Sequence, residues 1–404
     1  MSTKKRSPVA SGKTKVLFEV EEQPDVLVVQ QQDAITAGDG VRRDVIEGKG
    51  RIAAKTTARV FQLLNLCGLP THYLSGGVDD NQMHVRRAHM IPLEVVVRGV
   101  AAGSLVRRRP GIQRGALLVP RLIEFFLKDD ANHDPLIEPE AIVAGGYATP
   151  QDVATMSELA RITYEILAHA WRRRDALLVD LKIEFGRLVG GEGKGQLVIA
   201  DVIDNDAWRV WPQGREDLML DKQMYRNLKT VTPADLERVR ANYEQVADIV
   251  ETFPQMRPGM VGLLVDGAEH LAASELAARA LAAFGLPTIR HVVSVARTPG
   301  YILQLVTQLE ATFPRMVLVA VGAANSALPA MLDSATANPI GILNVENPHP
   351  DELALACAKA FALEDTVVFG RVLLLQANAR SEVLGADAKL NAPPPAPAPG
   401  AALA

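Results

Sequence analysis

The chain has only two cysteines in 404 residues, Cys67 and Cys357. That excludes a disulfide framework and fits a reducing, cytoplasmic compartment. It has no basic surplus: Lys and Arg number 43 against 47 Asp and Glu, a net charge of −4. A general nucleic-acid binder is therefore excluded, because phosphate neutralisation needs excess cations. No stretch reaches the roughly 18 uninterrupted apolar residues of a membrane span. The longest Ala/Leu-rich stretch, 271–286, carries Glu275 and Arg279 and predicts a packed helix. Residues 1–11 are polar and basic with no apolar core, so they do not read as a signal peptide and are expected to form a disordered tail. A Walker A spacing and short-period repeats are also missing. What remains is ordinary globular composition, 48% hydrophobic and 22% charged, with length for two or three domains.

The clearest boundary is the segment 253–259, where two prolines and a glycine follow a helical pattern over 233–251. Before it, residues 12–252 mix strands at 16–20, 26–29 and 94–97 with helices at 48–66 and 155–172, an α+β pattern with antiparallel hairpins. After it, residues 260–388 alternate strands at 261–265, 289–293 and 316–321 with helices at 272–284 and 300–313. Alternation of this kind predicts a layered α/β domain with a parallel sheet. Residues 389–404 read as a Pro/Ala-rich tail.

Residues 177–186 alternate strictly. Val179, Leu181, Ile183 and Phe185 fall on one strand face, and Asp180, Lys182 and Glu184 on the other. A glycine-rich turn at 190–195 leads to a second strand at 197–203. If the hairpin folds symmetrically about the Glu192–Gly193 bond, Glu184 stands opposite Asp201. Opposed carboxylates repel. A divalent cation with hard oxygen ligands reverses that sign, Mg²⁺ with nucleotide phosphates being the usual case; a solvated acidic pair eased by Lys182 is the plain alternative. Gly12-Lys-Thr-Lys15 suits a loop over phosphates. Arg98-Gly-Val-Ala-Ala-Gly-Ser104 supplies donors and close backbone approach for an anion. The polar loop 128–135 offers Lys128 to a phosphate and Asp134 to an amine or metal. Arg209 follows the second acidic strand, and Lys222 and Arg226 add a cation pair.

Together with Gln32-Asp-Ala-Ile-Thr-Ala-Gly38, Glu47-Gly-Lys-Gly50, Met90-Ile-Pro-Leu-Glu94 and Phe126 to Pro135, these motifs make residues 12–250 resemble SAICAR synthetase. The likeness is closest to the animal-type bifunctional form, fused to a phosphoribosylaminoimidazole carboxylase domain. The resemblance implies a two-lobed fold related to ATP-grasp and kinase-like folds, followed by a three-layer, flavodoxin-like α/β domain. It implies ATP-driven joining of L-aspartate to carboxyaminoimidazole ribonucleotide through an acyl phosphate, with Mg²⁺ as cofactor. By the same resemblance Lys13, Lys15 and Lys128 hold ATP phosphates and Glu184 and Asp201 hold the metal. Arg98, Ser104 and Arg209 grip the ribonucleotide phosphate. Asp134, Asp180, Lys182 and Arg226 lie at the substrate site.

The second domain resembles the carboxylase less closely. Its first loop reads Asp266-Gly-Ala-Glu-His270, where Asp266 and Glu269 would repel a phosphate. Ala296 stands where the family has its essential histidine, and alanine cannot transfer a proton. The glycine-rich loop has become Gly322-Ala-Ala-Asn-Ser-Ala327, without its arginine. A displaced histidine, His270 or His291, is the alternative to a lost site. The expected protein is a working synthetase with an inactive second domain that assembles subunits, an octamer by family resemblance. A non-catalytic scaffold of purine synthesis and a fully bifunctional enzyme are the competing readings.

Overall fold

The computed structural model describes residues 5–38 and 41–390. The first domain opens with β1 (Lys5–Ser11), β2 (Lys15–Val20) and β3 (Gln23–Gln31), then the hairpin β4 (Ala34–Ala37) and β5 (Arg42–Val45). Helix α1 (Lys49–Cys67) is bracketed by Gly48 and Gly68, both left-handed, which start and stop it. Strands β6 (Tyr73–Gly76) and β7 (Gln82–Arg86) complete an antiparallel sheet of order β1-β2-β3-β7-β6.

A second sheet is built on two 13-residue strands, β8 (Ala88–Val100) and β11 (Ala176–Leu188). Between them come α2 (Gly103–Arg108), β9 (Leu117–Leu127), β10 (Leu136–Ile137), α3 (Pro139–Ala144) and α4 (Pro150–Arg172). Strands β12 (Leu197–Ala200) and β13 (Trp208–Pro212) both pair with β11. Helices α5 (Gln223–Asn227) and α6 (Pro233–Val250) close the domain. α4 and α6 each start at a threonine whose hydroxyl accepts the N–H of an aspartate three residues on, with proline first in the helix. One apolar core runs beneath both sheets, gathering Leu181, Ile183 and Phe185 of β11 with Phe61 and Leu64 of α1 and Trp171 of α4.

The tail expected over residues 1–11 is instead a strand from Lys5 onward. β1 pairs antiparallel with β2 through Pro8↔Phe18 and Ser11↔Val16, with two register shifts. Pro8, Val9, Ala10 and Ser11 are all exposed, so they pair with β2's backbone without apolar burial, and the sequence there carries no periodic signal. The expected Pro/Ala tail lies outside the described residues from Asn391 on.

The second domain alternates as expected: β14 (Met260–Asp266), α7 (Leu271–Ala283), β15 (Thr288–Val293), α8 (Pro299–Thr312), β16 (Met316–Gly322), α9 (Leu328–Ala335), β17 (Ile340–Asn344) and α10 (Pro350–Ala362). All four strands are parallel, in the order β15-β14-β16-β17. Val261, Leu263, Val265, Val317, Val319 and Val321 pack with α7 and α10. Leu264, Leu318 and Ala320 pack with α8 and α9 on the other face, which makes three layers.

The last helix, α11 (Thr366–Leu390), is not among the elements expected from sequence, and it joins the two cores. Val367 enters the first domain's core, while Val368 and Val372 enter the second's. Asp365 caps it: Oδ1 accepts the N–H of Val367 and Val368 at 2.9 and 3.0 Å, and Oδ2 accepts that of Arg257 at 2.6 Å. The His169 ring stacks on Phe369 with centroids 4.3 Å apart. Gly370 lies against Cys67 so closely that a Cβ there would collide with its sulfur. Gly370→Leu is therefore expected to cost about 2 kcal/mol by overpacking. Gly385→Ala on the same helix meets nothing within 4 Å and should instead add up to about 1 kcal/mol of helix propensity. Urea unfolding of the two variants reads the difference; equal effects would mean that α11 does not seat against α1.

Candidate active site

The site grows from the polar face of β11. Antiparallel pairing sets Asp180 of β11 opposite Arg98 of β8, Lys182 opposite Val96, and Glu184 opposite Glu94. Glu184 and Glu94 would repel across the ladder. Lys182 relieves this, with Nζ 2.5 Å from Glu94 and 3.5 Å from Glu184. Lys128 adds a second ammonium 2.6 Å from Glu184. Burial alone would raise Glu184, but Lys182, Lys128 and Lys15 outweigh it and hold the carboxyl below its usual range. Burial likewise opposes the charge on Lys182, and Glu94 and Glu184 override it, so its ammonium is held above the ordinary value. Burial pushes Lys15 down to about 8, against the pull of Glu184 and with the help of Lys128 and Lys182.

The expected register of the hairpin is off by one. Glu184 pairs with Ala200, and Gly186 with Val198. The loop centres on Glu192, not on the Glu192–Gly193 bond, with Gly191, Gly193 and Gly195 all at positive φ. A one-residue shift sends a side chain to the opposite face in a regular strand. β12, however, ends at Ala200, and Asp201 takes a left-handed conformation with φ 63°. That turn brings Asp201 onto the ammonium of Lys15, the lysine that also feels Glu184. Both carboxylates thus address one cationic position.

A second cluster lies one step along the ladder. Buried Arg98 donates from Nε to Glu124 at 2.6 Å, from Nη1 to Asp180 at 3.0 Å and from Nη2 to Ser104 Oγ at 3.2 Å. Arg209 donates to the same Asp180 oxygen at 2.6 Å, and Arg108 pairs with Glu124. Gly103, at φ 55°, lies against the Arg209 guanidinium, where any Cβ would strike it. Glycine is required at that position for Arg209 to reach Asp180.

These clusters open into two adjoining cavities. The inner one, about 370 Å³, is walled by Lys15, Asp134, Asp180, Lys182 and Asp201. The outer, about 700 Å³, is walled by Ser104, Arg107, Arg114 and Glu216. Lys13, Arg209, Lys222 and Arg226 line both. Asp134, itself left-handed, closes its loop by accepting the Asp129 N–H at 2.9 Å. All twelve candidate residues therefore lie in or directly against one cleft: ten line it, Glu184 is tied to it by Lys182, and Lys128 is tied to it by Glu184. Sequence reasoning assigned no role to Glu94 or Arg107, and set Lys222 beside Arg226 as a cation pair without its partner Asp206. Lys222 Nζ is 2.7 Å from Asp206, which also accepts from Tyr243 OH at 2.6 Å. The signal for that pair was the acidic run Asp204-Asn-Asp206; Glu94 and Arg107 stand in unremarkable strand and helix patterns.

The SAICAR synthetase family profile matches residues 8–243. The chain belongs to the SAICAR synthetase family. The phosphoribosylaminoimidazole-succinocarboxamide synthase of Herpetosiphon aurantiacus is 48% identical over 245 residues, 61% of this chain and 97% of that protein. The probable multifunctional protein ADE2 of Caenorhabditis elegans is 35% identical over 412 residues, 95% of this chain and 96% of that one. Among solved structures, a SAICAR synthetase (Type-2) in complex with ADP is 31% identical, with a TM-score of 0.53 over 60% of this chain and 96% of its own. The Herpetosiphon relative thus corresponds to the first domain, whereas the nematode protein accompanies this SAICAR synthetase family member through its second.

Proposed function

We propose that the first domain joins L-aspartate to carboxyaminoimidazole ribonucleotide with ATP, giving SAICAR, ADP and phosphate. The observation that supports this is the convergence of all twelve candidate residues in or directly against one cleft. The ribonucleotide carboxylate oxygen attacks the γ-phosphorus of ATP, and ADP leaves. The aspartate amine then attacks the acyl carbon; inorganic phosphate departs with the C–O electron pair, and the amine loses a proton. Lys13, Lys15 and Lys128 meet the triphosphate, and charge neutralisation with alignment does most of the work in such a transfer. Arg98, Ser104 and Arg209 form the ribonucleotide phosphate end. Asp134, Asp180, Lys182 and Arg226 orient the reacting carboxylate and amine.

Glu184 and Asp201 fit a Mg²⁺ ion: both are hard oxygen donors, and both already face ammonium groups. Among the described residues no cluster of three metal-ligating side chains occurs, so nucleotide phosphates and water would supply the other ligands. Such an ion would neutralise charge on the transferred phosphoryl group. The test is a coupled assay on the purified full chain. Product should require all of ATP, Mg²⁺, aspartate and the ribonucleotide; a chain that binds them without turnover would favour the scaffold reading.

The second domain is proposed to have no carboxylase activity and to hold subunits together. Ligands of open parallel sheets bind beyond the strands' carboxyl ends. There, Asp266 accepts from Ser326 Oγ at 2.6 Å, and Ser326 in turn accepts the Leu328 N–H at 3.1 Å, so the loop after β16 is tied to the end of β14. Glu269 presses against Gly267 in the same place. Light scattering should give a multiple of the 43.6 kDa chain mass, and no CO₂ should be fixed onto aminoimidazole ribonucleotide.

A further inference from the structure

Counting charge at the phosphate end leaves a deficit. Arg98, Arg108 and Arg209 face two carboxylates, Glu124 and Asp180, a surplus of one positive charge. A phosphate monoester carries about −1.5 to −2 near neutrality. The charge on Arg98 is already in that count, and three of its five N–H donors are engaged with only 3% of the residue exposed. Arg114, across the outer cavity, is paired with Glu216.

Arg107 differs from all of these. It lines the outer cavity with Ser104 and Arg209, yet its side chain makes no hydrogen bond or ion pair with any described residue. It stands three positions after Ser104 on α2, so the two side chains share a helix face. Lys13, Lys222 and Arg226 also line this cavity, but Lys222 is paired with Asp206, and the reaction proposed above places Lys13 on the triphosphate and Arg226 on the reacting carboxylate and amine. We propose that Arg107 is a further binding residue for the ribonucleotide phosphate, meeting it from the rim while Ser104 and Arg209 meet it from the floor. This rests on the reaction proposed above. It would bring the local surplus to two charges, matching the dianion.

The side chain is exposed and unpartnered, so Arg107→Ala should fold normally, with an unchanged melting curve as the control. Its KM for the ribonucleotide should rise about 10-fold, the lower end for losing a charge-assisted contact. The KM values for ATP and aspartate, and kcat, should stay within about twofold by the same reasoning. Arg107→Lys should recover part of the loss. Titration calorimetry with ribose 5-phosphate reads the contact without turnover: wild type should bind it, and Arg107→Ala should bind it about 10-fold more weakly. Equal affinity in the two proteins, or a rise in the aspartate KM in place of the ribonucleotide KM, overturns the assignment. Loss of turnover in wild type with the calorimetric difference intact would sink the reaction while sparing the phosphate contact.

Discussion

Arg98→Ala is expected to remove about 3 kcal/mol of folding stability and nearly all activity. Taking one partner from a buried ion pair typically costs 3–5 kcal/mol, because the other charge is left unpaired in a poorly solvated place. Here Glu124 and Asp180 would both lose their shared guanidinium. The lower end of the range applies, since Arg108 still holds Glu124 and Arg209 still holds Asp180. The loss should depend on pH in a definite direction. Burial opposes ionisation of Glu124, but Arg98 and Arg108 outweigh it and hold the carboxyl below its ordinary value. A depressed carboxyl contributes stability above its unfolded pKa and loses it as pH falls through the folded one. The gap between wild type and variant should thus be widest at neutral pH and narrow in acid, where protonated Glu124 no longer needs a cation. Urea titrations at pH 7 and pH 4 measure this. A gap that widens toward pH 4 would contradict the assignment of Arg98 as counter-ion. Arg98→Lys should recover charge but not the three directed donors, and so should restore stability more than activity.

How much of this was legible beforehand depends on what each residue's signal rests on. The polar face of β11 was legible because Asp180, Lys182 and Glu184 alternate with core residues, and alternation needs no knowledge of the partner strand. The partner of Glu184 was not legible. Register in a hairpin is set by loop geometry, and three glycines at positive φ moved the centre of this loop by half a residue. The opposed carboxylate turned out to be Glu94, on a strand 90 residues away in sequence, which no local spacing reveals. α11 was missed for a different reason. Its first turns are apolar on several sides because two cores share them, and a helix buried all round has no amphipathic period to find. The linker at 253–259 reads as a place to divide the chain, yet the polypeptide returns through α11 to pack on α1 and α4. A fragment ending near Phe253 would therefore leave the Cys67 and His169 faces uncovered, so tests of the synthetase belong on the full chain.

The second large effect is expected from Asp201→Asn, a loss of at least 100-fold in succinocarboxamide formation with little change in stability. The backbone makes asparagine the right probe. Asp201 sits at φ 63°, a conformation that Asn and Asp tolerate and other side chains resist. Asn therefore keeps the turn that swings the side chain out of the β12 register, and removes only the charge. Asp201→Ala would add strain of roughly 1–2 kcal/mol and blur the reading. Without its carboxylate, the position shared with Glu184 keeps one anionic ligand, and a Mg²⁺–nucleotide complex loses a charge-assisted oxygen contact. The removal of one such stabilising group aimed at developing charge commonly slows catalysis 10²–10³-fold. Calorimetric binding of ADP with and without Mg²⁺ separates the possible causes. In wild type, Mg²⁺ should tighten ADP binding; in Asp201→Asn that gain should largely disappear while metal-free ADP binds as before. Wild-type turnover in Asp201→Asn, or an undiminished Mg²⁺ gain, would show that Asp201 serves only as the counter-ion of Lys15. The ion pair would then be structural, and Glu184 with Glu94, directly opposed across the β8–β11 ladder, would be the carboxylates left to carry the metal.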